Sequence, residues 1–494
     1  MAKWLTKSDY AKFLIHPAYL WMAKYAKDKL PEFGEVARAK MAEGYAVEAV
    51  AQQLFPGGHI VNVSMFDGPD ESIRLMRAGG PEVLFQPSVL TSRNLYVRSD
   101  IMVRQNEAWD LYEIKSGASV KTAHLLDLAF QKYVWQEAGY KVGRTYVVHV
   151  NTQYVMHREV NPVEFCKVIE VTDSVESLGK NTAAKVEEAL VVMQYQEMPD
   201  DSPELAGEWY GYRDLYRYLH PNLPADSILN LTRLNLEQLK LLAGQGVDRI
   251  GDIPQDFGLG AEQQAQIQVV RSGHAHIHSD KITRSLGELA YPLYFLDYET
   301  FASAIPLWDG VRPYQQLPFQ YSLHVIPEPE GPLLHKEHLG RGGDYPVTAL
   351  LEHLQQDMGN SGSVIVWNKS FEMGCNDAMS ALHPKYAEFL QGVNNRVYDL
   401  MEIFSNGWYA HPEFHGSASI KKVLPVLVPE LSYKDLGIGE GMTAQIRWMR
   451  AARGELSTEL TAEVYDNLVD YCGQDTLAMV KIYERLRTDI AART

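Results

Sequence analysis

Two observations predict an α/β fold class for this chain, and a third predicts that it is divided among several cores. Strand-like runs alternating β-branched or aromatic residues with polar ones cover residues 58–66, 83–90, 95–105 and 108–117. They are followed by a helical pattern over 122–139 and another strand from 144, an order of helix, strands, helix and strand that implies a crossover core. A second such set begins at the apolar run 291–296 and continues through paired strand segments at 318–328 and 333–339, a helix at 346–359 and a buried strand at 363–368. The third observation is length: 494 residues suit two to four domains.

Composition narrows the function classes. A hydrophobic share of 46% and a charged share of 22% describe an ordinary globular chain. The net charge of −17 leaves no global basic field, which excludes a passive nucleic-acid coat. An enzyme with a locally basic groove or an acidic metal site remains open. Cys166, Cys375 and Cys472 are scattered and odd in number, so they suit neither a disulfide framework nor a zinc ligand set. No apolar run approaches the ~18 residues of a membrane span, and the first residues lack a signal-peptide core. The expected location is the cytoplasm.

Residues 1–30 read as an aromatic-rich helix capped by Thr6 or Ser8, and residues 33–55 as a second helix carrying Glu43, Gly44 and Glu48. The strands that follow hold the first chemistry. Asp100 closes one strand, and Glu113 and Lys115 share a face of the next. Two carboxylates can hold a divalent ion, and an ammonium beside them can orient water and offset phosphate charge. E-x-K alone is common among solvated edge-strand charges. Its meaning comes from the set: Glu48 upstream, Asp100 nearby, and a following helix bearing Gln131 and Tyr133.

This set resembles the RecB-like branch of the PD-(D/E)XK nucleases. The pattern G-x-x-x-[HE], Asp, [DE]-x-K and Gln maps onto Gly44/Glu48, Asp100, Glu113/Lys115 and Gln131. The resemblance implies a restriction-endonuclease-like fold, a metal held by Glu48, Asp100, Glu113 and the Ile114 carbonyl, a catalytic Lys115, and Gln131 steering DNA. Many RecB-like relatives, the CRISPR-adaptation nucleases among them, clamp an iron–sulfur cluster with four cysteines. Here the first would fall near His16, and none occurs between Cys166 and Cys375, so no cluster is expected. The alternative is a decayed fold kept for binding.

Residues 180–285 are mostly helical, with a polar, turn-rich stretch at 197–207. Two helices around 244–254 resemble a helix-hairpin-helix, in which Gly246 would offer backbone N–H groups to a phosphate. A plain helical spacer is the alternative. The expected division is a nuclease domain at 1–200, a helical linker at 201–285 and a third domain at 286–494.

The third domain opens on the strand that carries Asp297 and Glu299 on one face. Two acids so placed repel each other and lose hydration unless a cation lies between them. Oxygen-only ligands suit Mg²⁺ or Mn²⁺. Downstream come Asn368, Phe371 and Glu372 beyond a strand end, Asp399, and Lys421 and Lys422 after Ser417 and Ser419. Tyr471 and Asp475 follow on one face of a helix.

These residues resemble the Tyr-containing branch of the DEDD 3′–5′ exonucleases, which have an RNase H-like fold. D-x-E, N-x-x-F-D and Y-x-x-x-D are matched by Asp297/Glu299, Asn368/Phe371/Glu372 and Tyr471/Asp475, with Glu372 one methylene longer than the usual Asp. The resemblance implies four acids holding two divalent ions, Tyr471 placing the attacking water and Glu299 accepting from the terminal 3′-hydroxyl. Asn368, Lys421 and Lys422 are candidate nucleic-acid contacts. For the two lysines the other reading is a solvated turn at a helix start.

Taken further, the stretches PYQQLPFQYSLH, NKSFE, YDLMEIF and GSASIKKVLP resemble a bacterial domain-of-unknown-function family that fuses a RecB-like nuclease to an exonuclease-like domain. The expected function is a metal-dependent nuclease, with DNA favoured over RNA, in repair, end-processing or phage defence. The alternatives are a nucleic-acid-binding or scaffold protein with inactive sites, and an RNA-trimming exonuclease. Nucleic acid is the expected partner; a membrane is not.

Overall fold

Six strands hydrogen-bond side by side around Ala108–Lys115 in the computed structural model, which describes residues 4–77, 79–433 and 436–491. They belong to the first of two compact units, Met1–Pro221 with Ser303–Tyr314. Unit 1 begins with β1 (Leu5–Thr6), α1 (Lys7–Ile15) and α2 (Pro17–Tyr25). The single helix expected here is split at Pro17, which lacks an N–H and suits a first helical turn. Thr6 caps α1 in a reciprocal pair with Asp9. Next come α3 (Glu35–Gln52), β2 (His59–Ile60) and α4 (Gly68–Leu75). Most of the strand expected over 58–66 is irregular, and α4 is an unforeseen helix with Pro69 near its start and Asp70 and Glu71 in its first turn.

The chain continues through β3 (Val83–Phe85), β4 (Ser88–Leu90), β5 (Leu95–Arg98), β6 (Ile101–Gln105) and β7 (Ala108–Lys115). Two expected strands are thus four, broken at Gln86, whose φ is 57°, and again at Ser99 and Asp100. The unit is completed by α5 (Thr122–Glu137), β8 (Val142–Val150), α6 (Pro162–Phe165), β9 (Cys166–Glu170), α7 (Thr172–Val192) and α8 (Trp209–Leu219). The main sheet has the order β2-β3-β6-β7-β8-β9, and β7 and β8 run parallel with α5 as their crossover. A buried Trp135 on α5 donates its indole N–H to Ser99 Oγ at 2.9 Å, pinning the turn that carries Asp100. The turn thereby acquires a fixed position.

Unit 2 comprises Asn222–Ala302 and Gln315–Thr494. It starts with α9 (Leu236–Gly244), α10 (Ala261–Ser272), β10 (His276–Ile277) and α11 (Ser279–Leu286). The expected hairpin is not formed: residues 245–260 separate α9 from α10. Gly246, φ 72°, ends α9, with Val247 N–H donating to Leu242 O at 3.0 Å and Gly246 N–H to Ala243 O at 2.8 Å. A helix C-terminus presents carbonyl groups, so the N–H cradle expected at Gly246 is absent there. The three-way division also differs from the compact units, because α8 packs on α1 in unit 1 and the 222–285 segment belongs to unit 2.

The second sheet is built from β11 (Leu293–Phe301), β12 (Leu317–Ile326), β13 (Leu334–Leu339), β14 (Ser363–Val366) and β15 (Val397–Asp399), in the order β13-β12-β11-β14-β15. The first three are antiparallel; β14 and β15 run parallel to β11. Between and after them lie α12 (Val347–Asp357), α13 (Lys369–Leu382), α14 (Ala387–Asn394), α15 (Glu402–Ser405), β16 (Tyr409–Ala410), α16 (Ile420–Leu427), α17 (Gly441–Ala452) and α18 (Thr458–Ala491). One sheet face is covered by α12 and α13 and the other by α18, so β11 is buried on both faces. Among the described residues no helix is long and apolar enough to cross a membrane.

Candidate functional site

Alternation along β11 turns Phe295, Asp297 and Glu299 to one face, and α18 lies over that face. Asp297 sits opposite Ser322 and Glu299 opposite Gln320 on β12. Directly after Glu299 the register shifts, leaving Phe319 as the extra residue of a bulge. Bulges bend a strand and re-aim its side chains, and this one falls beside the acids. From α18 come Tyr471, Cys472 and Asp475. Ligand atoms of Asp297, Glu299 and Cys472 lie within 4.8 Å of one another, the only such trio among the described residues. The Cys472 thiol stands 3.6 Å from Asp297 Oδ2, a member of the cluster that no sequence spacing singled out.

Asp475 accepts a hydrogen bond from the Tyr433 hydroxyl. Lys421 donates to Gly439 O at 2.6 Å and to the Tyr471 hydroxyl oxygen at 2.9 Å, whereas Lys422 is exposed. Glu372 lies in the first turn of α13, buried, with Oε2 lacking any hydrogen-bond partner. Its place is fixed by Asp399, which accepts from Lys369 N–H and from Met401 N–H, each at 3.0 Å. Asn368 holds the cap position of α13 without a side-chain cap bond, a task Asp399 performs from β15.

The electrostatics of this cluster all point one way. Burial raises the Asp297 carboxyl well above its ordinary range, and Asp475, Glu299 and Glu372 add repulsion. Burial and Asp475 do the same to Glu299, against a smaller opposing pull from Lys421. Burial pushes Glu372 up to about 8, reinforced by Asp399. Asp475 is pushed up to about 6, held back by Tyr433, Lys421 and Tyr471. Three buried acids and the half-buried Asp297 face one ammonium, and one of their oxygens is orphaned. That donor set fits divalent cations held by Asp297, Glu299, Glu372 and Asp475.

A pH dependence follows. A carboxyl raised on folding contributes stability that is fully present below its unfolded pKa of ~4 and is lost as pH rises through its folded value. Chelator-treated protein should therefore melt at progressively lower temperature as pH rises from about 4 through about 6 and about 8, the folded values of Asp475 and Glu372. Mn²⁺ should reverse the decline, and Glu372→Gln should flatten its upper part. A melting temperature that rises over this window in the chelated protein but not in Glu372→Gln would contradict the assignment.

A second cluster lies in unit 1. Glu113 Oε1 accepts from Lys115 Nζ at 2.6 Å and from Lys7 Nζ at 2.9 Å, and its Oε2 accepts from Gln131 Nε2 at 2.6 Å. Asp127, one turn before Gln131 on α5, accepts from Lys115 at 2.9 Å and from Gln131 at 3.0 Å. Asp100 Oδ2 accepts the Ile114 N–H at 2.7 Å. Burial works to raise Glu113, but Lys7 and Lys115 overcome it and hold the carboxyl well below its usual range. Burial and the Glu113 charge push Asp100 up to about 7. Glu48 on α3 accepts from Gln52 at 3.0 Å and from Gln86, and burial raises its carboxyl, with Glu113 adding to the effect.

Asp100, Glu113, Lys115 and Gln131 are thus gathered, with Glu48 within electrostatic reach. No three of these acids bring ligand atoms within 4.8 Å of one another. A Cβ at Gly44 would meet nothing within 4 Å, so packing there does not require glycine. Sequence reasoning missed Lys7 and Asp127. Asp127 carried a usable signal, four residues before Gln131 on one helix face. Lys7 carried none, being 106 residues from Glu113.

Residues 294–419 match the family described as a domain of unknown function (DUF2779). That stretch holds Asp297, Glu299, Glu372 and Asp399 and ends before Lys421, Tyr471 and Asp475. The chain is 28% identical over 206 residues to the uncharacterized protein MG366 homolog of Mycoplasma pneumoniae, covering 38% of this chain and 31% of that protein. It is 26% identical over 220 residues to the uncharacterized protein MG366 of Mycoplasma genitalium, with 41% and 33% covered. To the uncharacterized protein UU173 of Ureaplasma parvum serovar 3 it is 30% identical over 152 residues, with 27% and 21% covered. The matches span no more than about a third of these relatives' own length.

Proposed function

We propose that this protein is a metal-dependent nuclease with two sites, a 3′–5′ exonuclease site in unit 2 that hydrolyses phosphodiester bonds and a second, RecB-like nuclease site in unit 1, with DNA the favoured substrate from the RecB-like resemblance of unit 1. One observation carries the reading: Asp297, Glu299, Glu372 and Asp475 come from three separate elements into one buried, under-neutralised cluster with an orphaned Glu372 oxygen. When ionised, four acids against Lys421 leave three formal negative charges, which two divalent cations would turn to one positive charge suited to a phosphate. Bound divalent ions supply Lewis acidity and a nucleophilic water at neutral pH.

The chain's own groups have distinct tasks in this reading. Asp297, Glu299, Glu372 and Asp475 hold the ions. Asp399 fixes the start of α13 and so the reach of Glu372. Lys421 keeps the Tyr471 hydroxyl beside Asp475, where it orients an attacking water. Lys422 and Asn368 are left for contacts along the substrate. The five-stranded sheet with helices on both faces supplies the rigid support that such a constellation needs.

For unit 1 a second reading has its own support. Glu113 is already neutralised by two ammonium groups, which suits a module that binds nucleic acid without cutting it. End-labelled single- and double-stranded DNA and RNA, incubated with Mg²⁺ or Mn²⁺, separate the readings when Asp297→Ala and Asp100→Ala are run beside the wild type. Shortening lost only in Asp297→Ala assigns cleavage to unit 2 and binding to unit 1. If neither substitution alters any cleavage, both sites are misassigned.

A further inference from the structure

Lys7 is placed where a cation would be expected. It is the first residue of α1, and its ammonium lies 2.9 Å from Glu113 Oε1 and 3.7 Å from Asp127 Oδ2. Lys115 donates to the same Glu113 oxygen at 2.6 Å and to the same Asp127 oxygen at 2.9 Å. One carboxylate oxygen therefore serves two ammonium groups. A divalent ion on that oxygen would sit within a few ångströms of both, and like charges at such distances in a buried site repel strongly. One ammonium must leave. Lys115 is the more tightly held, with two short contacts and a backbone position on the strand of Glu113 itself. Lys7 has one short contact and one long one, while the two lysine side chains are about equally exposed, 28% and 26%, so the contacts and not the exposure single out Lys7.

We propose that Lys7 is an exchangeable cation of the unit 1 site, seated on Glu113 while no metal is bound and displaced onto a phosphodiester oxygen of the substrate when a divalent ion takes its place. The inference rests on the nuclease reading of unit 1 and adds a positioning residue to it. An ammonium released beside a bound phosphate is a ready point-charge ligand for it. In this arrangement the resting acids never stand unpaired, and the metal must compete with a residue of the chain.

The test is Mn²⁺ titration calorimetry in an Asp297→Asn/Asp475→Asn background, which silences unit 2. Lys7→Met keeps the side-chain length and removes the charge. It should bind Mn²⁺ at least about 10-fold more tightly than the background protein, because the competitor is gone, a change equivalent to about 1.4 kcal/mol. Lys7→Arg, which keeps the charge, should bind as the background does, and its thermal melt controls for folding. With a short phosphodiester oligonucleotide present, Lys7→Met should bind the oligonucleotide more weakly despite its tighter metal. Equal or weaker Mn²⁺ binding in Lys7→Met overturns the exchange while leaving the metal site standing. No Mn²⁺ binding in any of these proteins overturns the nuclease reading of unit 1 itself, and the exchange with it.

Discussion

Asp297→Asn should cost at least about 100-fold of unit 2 cleavage, more than is typical for loss of a residue that only supports a metal ligand. The same protein should melt at a higher temperature than the wild type when metal is absent. Asn keeps the shape and polarity of the side chain beside Ser322 and Cys472, while it removes an acid that burial and three neighbouring carboxyls disfavour. Each kcal/mol relieved is worth on the order of 2–4 °C in a unit of this size. With Mn²⁺ added the order should invert, because only the wild type gains binding energy from the ion. Differential scanning with chelator and with Mn²⁺, next to a cleavage assay, checks both halves. An Asp297→Asn protein that melts lower in chelator and still gains from Mn²⁺ would mean that the acid is a structural group.

Trp448→Ala should destabilise unit 2 by about 3–5 kcal/mol, the range for emptying a buried tryptophan position. Trp448 on α17 is 1% exposed and stacks on Phe319 with ring centroids 4.3 Å apart. It also meets Phe301 at 5.7 Å, and its indole N–H donates to Gly340 O at 2.8 Å. Phe319 is the extra residue of the bulge next to Glu299, so the cavity would open directly behind an acid of the site. The loss is a large share of a typical stability of ~5–15 kcal/mol. Urea unfolding followed by circular dichroism should show an earlier midpoint for one of two transitions. Trp448→Phe should lose less, since it keeps a ring on Phe319 and gives up mainly the bond to Gly340. A midpoint unchanged in Trp448→Ala would show that this stack does not hold the bulge.

Much of the unit 2 site could be read from local spacing. Alternation placed Asp297 and Glu299 together, a four-residue step put Tyr471 and Asp475 on one helix face, and Glu372 followed a recognisable strand end. Its other members depend on tertiary placement. Cys472 enters because α18 crosses β11 at that turn, and Tyr433 reaches Asp475 from an irregular segment 42 residues away. Asp399 acts through the backbone of another element, a role no spacing rule encodes. In unit 1 the E-x-K strand and the Gln131 helix were legible, whereas Lys7 needed the fold of α1 against the sheet. Strand lengths failed where turn chemistry intervened: Gln86 takes a left-handed conformation and Ser99 is fastened by Trp135, so long β-branched runs became short paired strands. The hairpin failed because Gly246 ends a helix and only a single 3-10 turn, Ile250–Asp252, precedes the next α-helix at Ala261.

The segment Ser303–Tyr314 makes unit 1 discontinuous in sequence. Its Ala304 is fully buried in that unit's core, its backbone N–H donating to Glu43 Oε1 at 2.7 Å, and Asp309 accepts from Arg158 N–H at 2.6 Å. Tyr314 donates its hydroxyl to Ser116 O, next to Lys115. A fragment stopped near residue 221 would therefore expose apolar surface that the intact chain covers and leave Glu43 without that donor. Dissection of the two units by truncation is compromised from the start. Supplying residues 303–314 as a separate peptide, and asking whether it restores solubility to the fragment, would show how much unit 1 owes to a stretch encoded within the other unit.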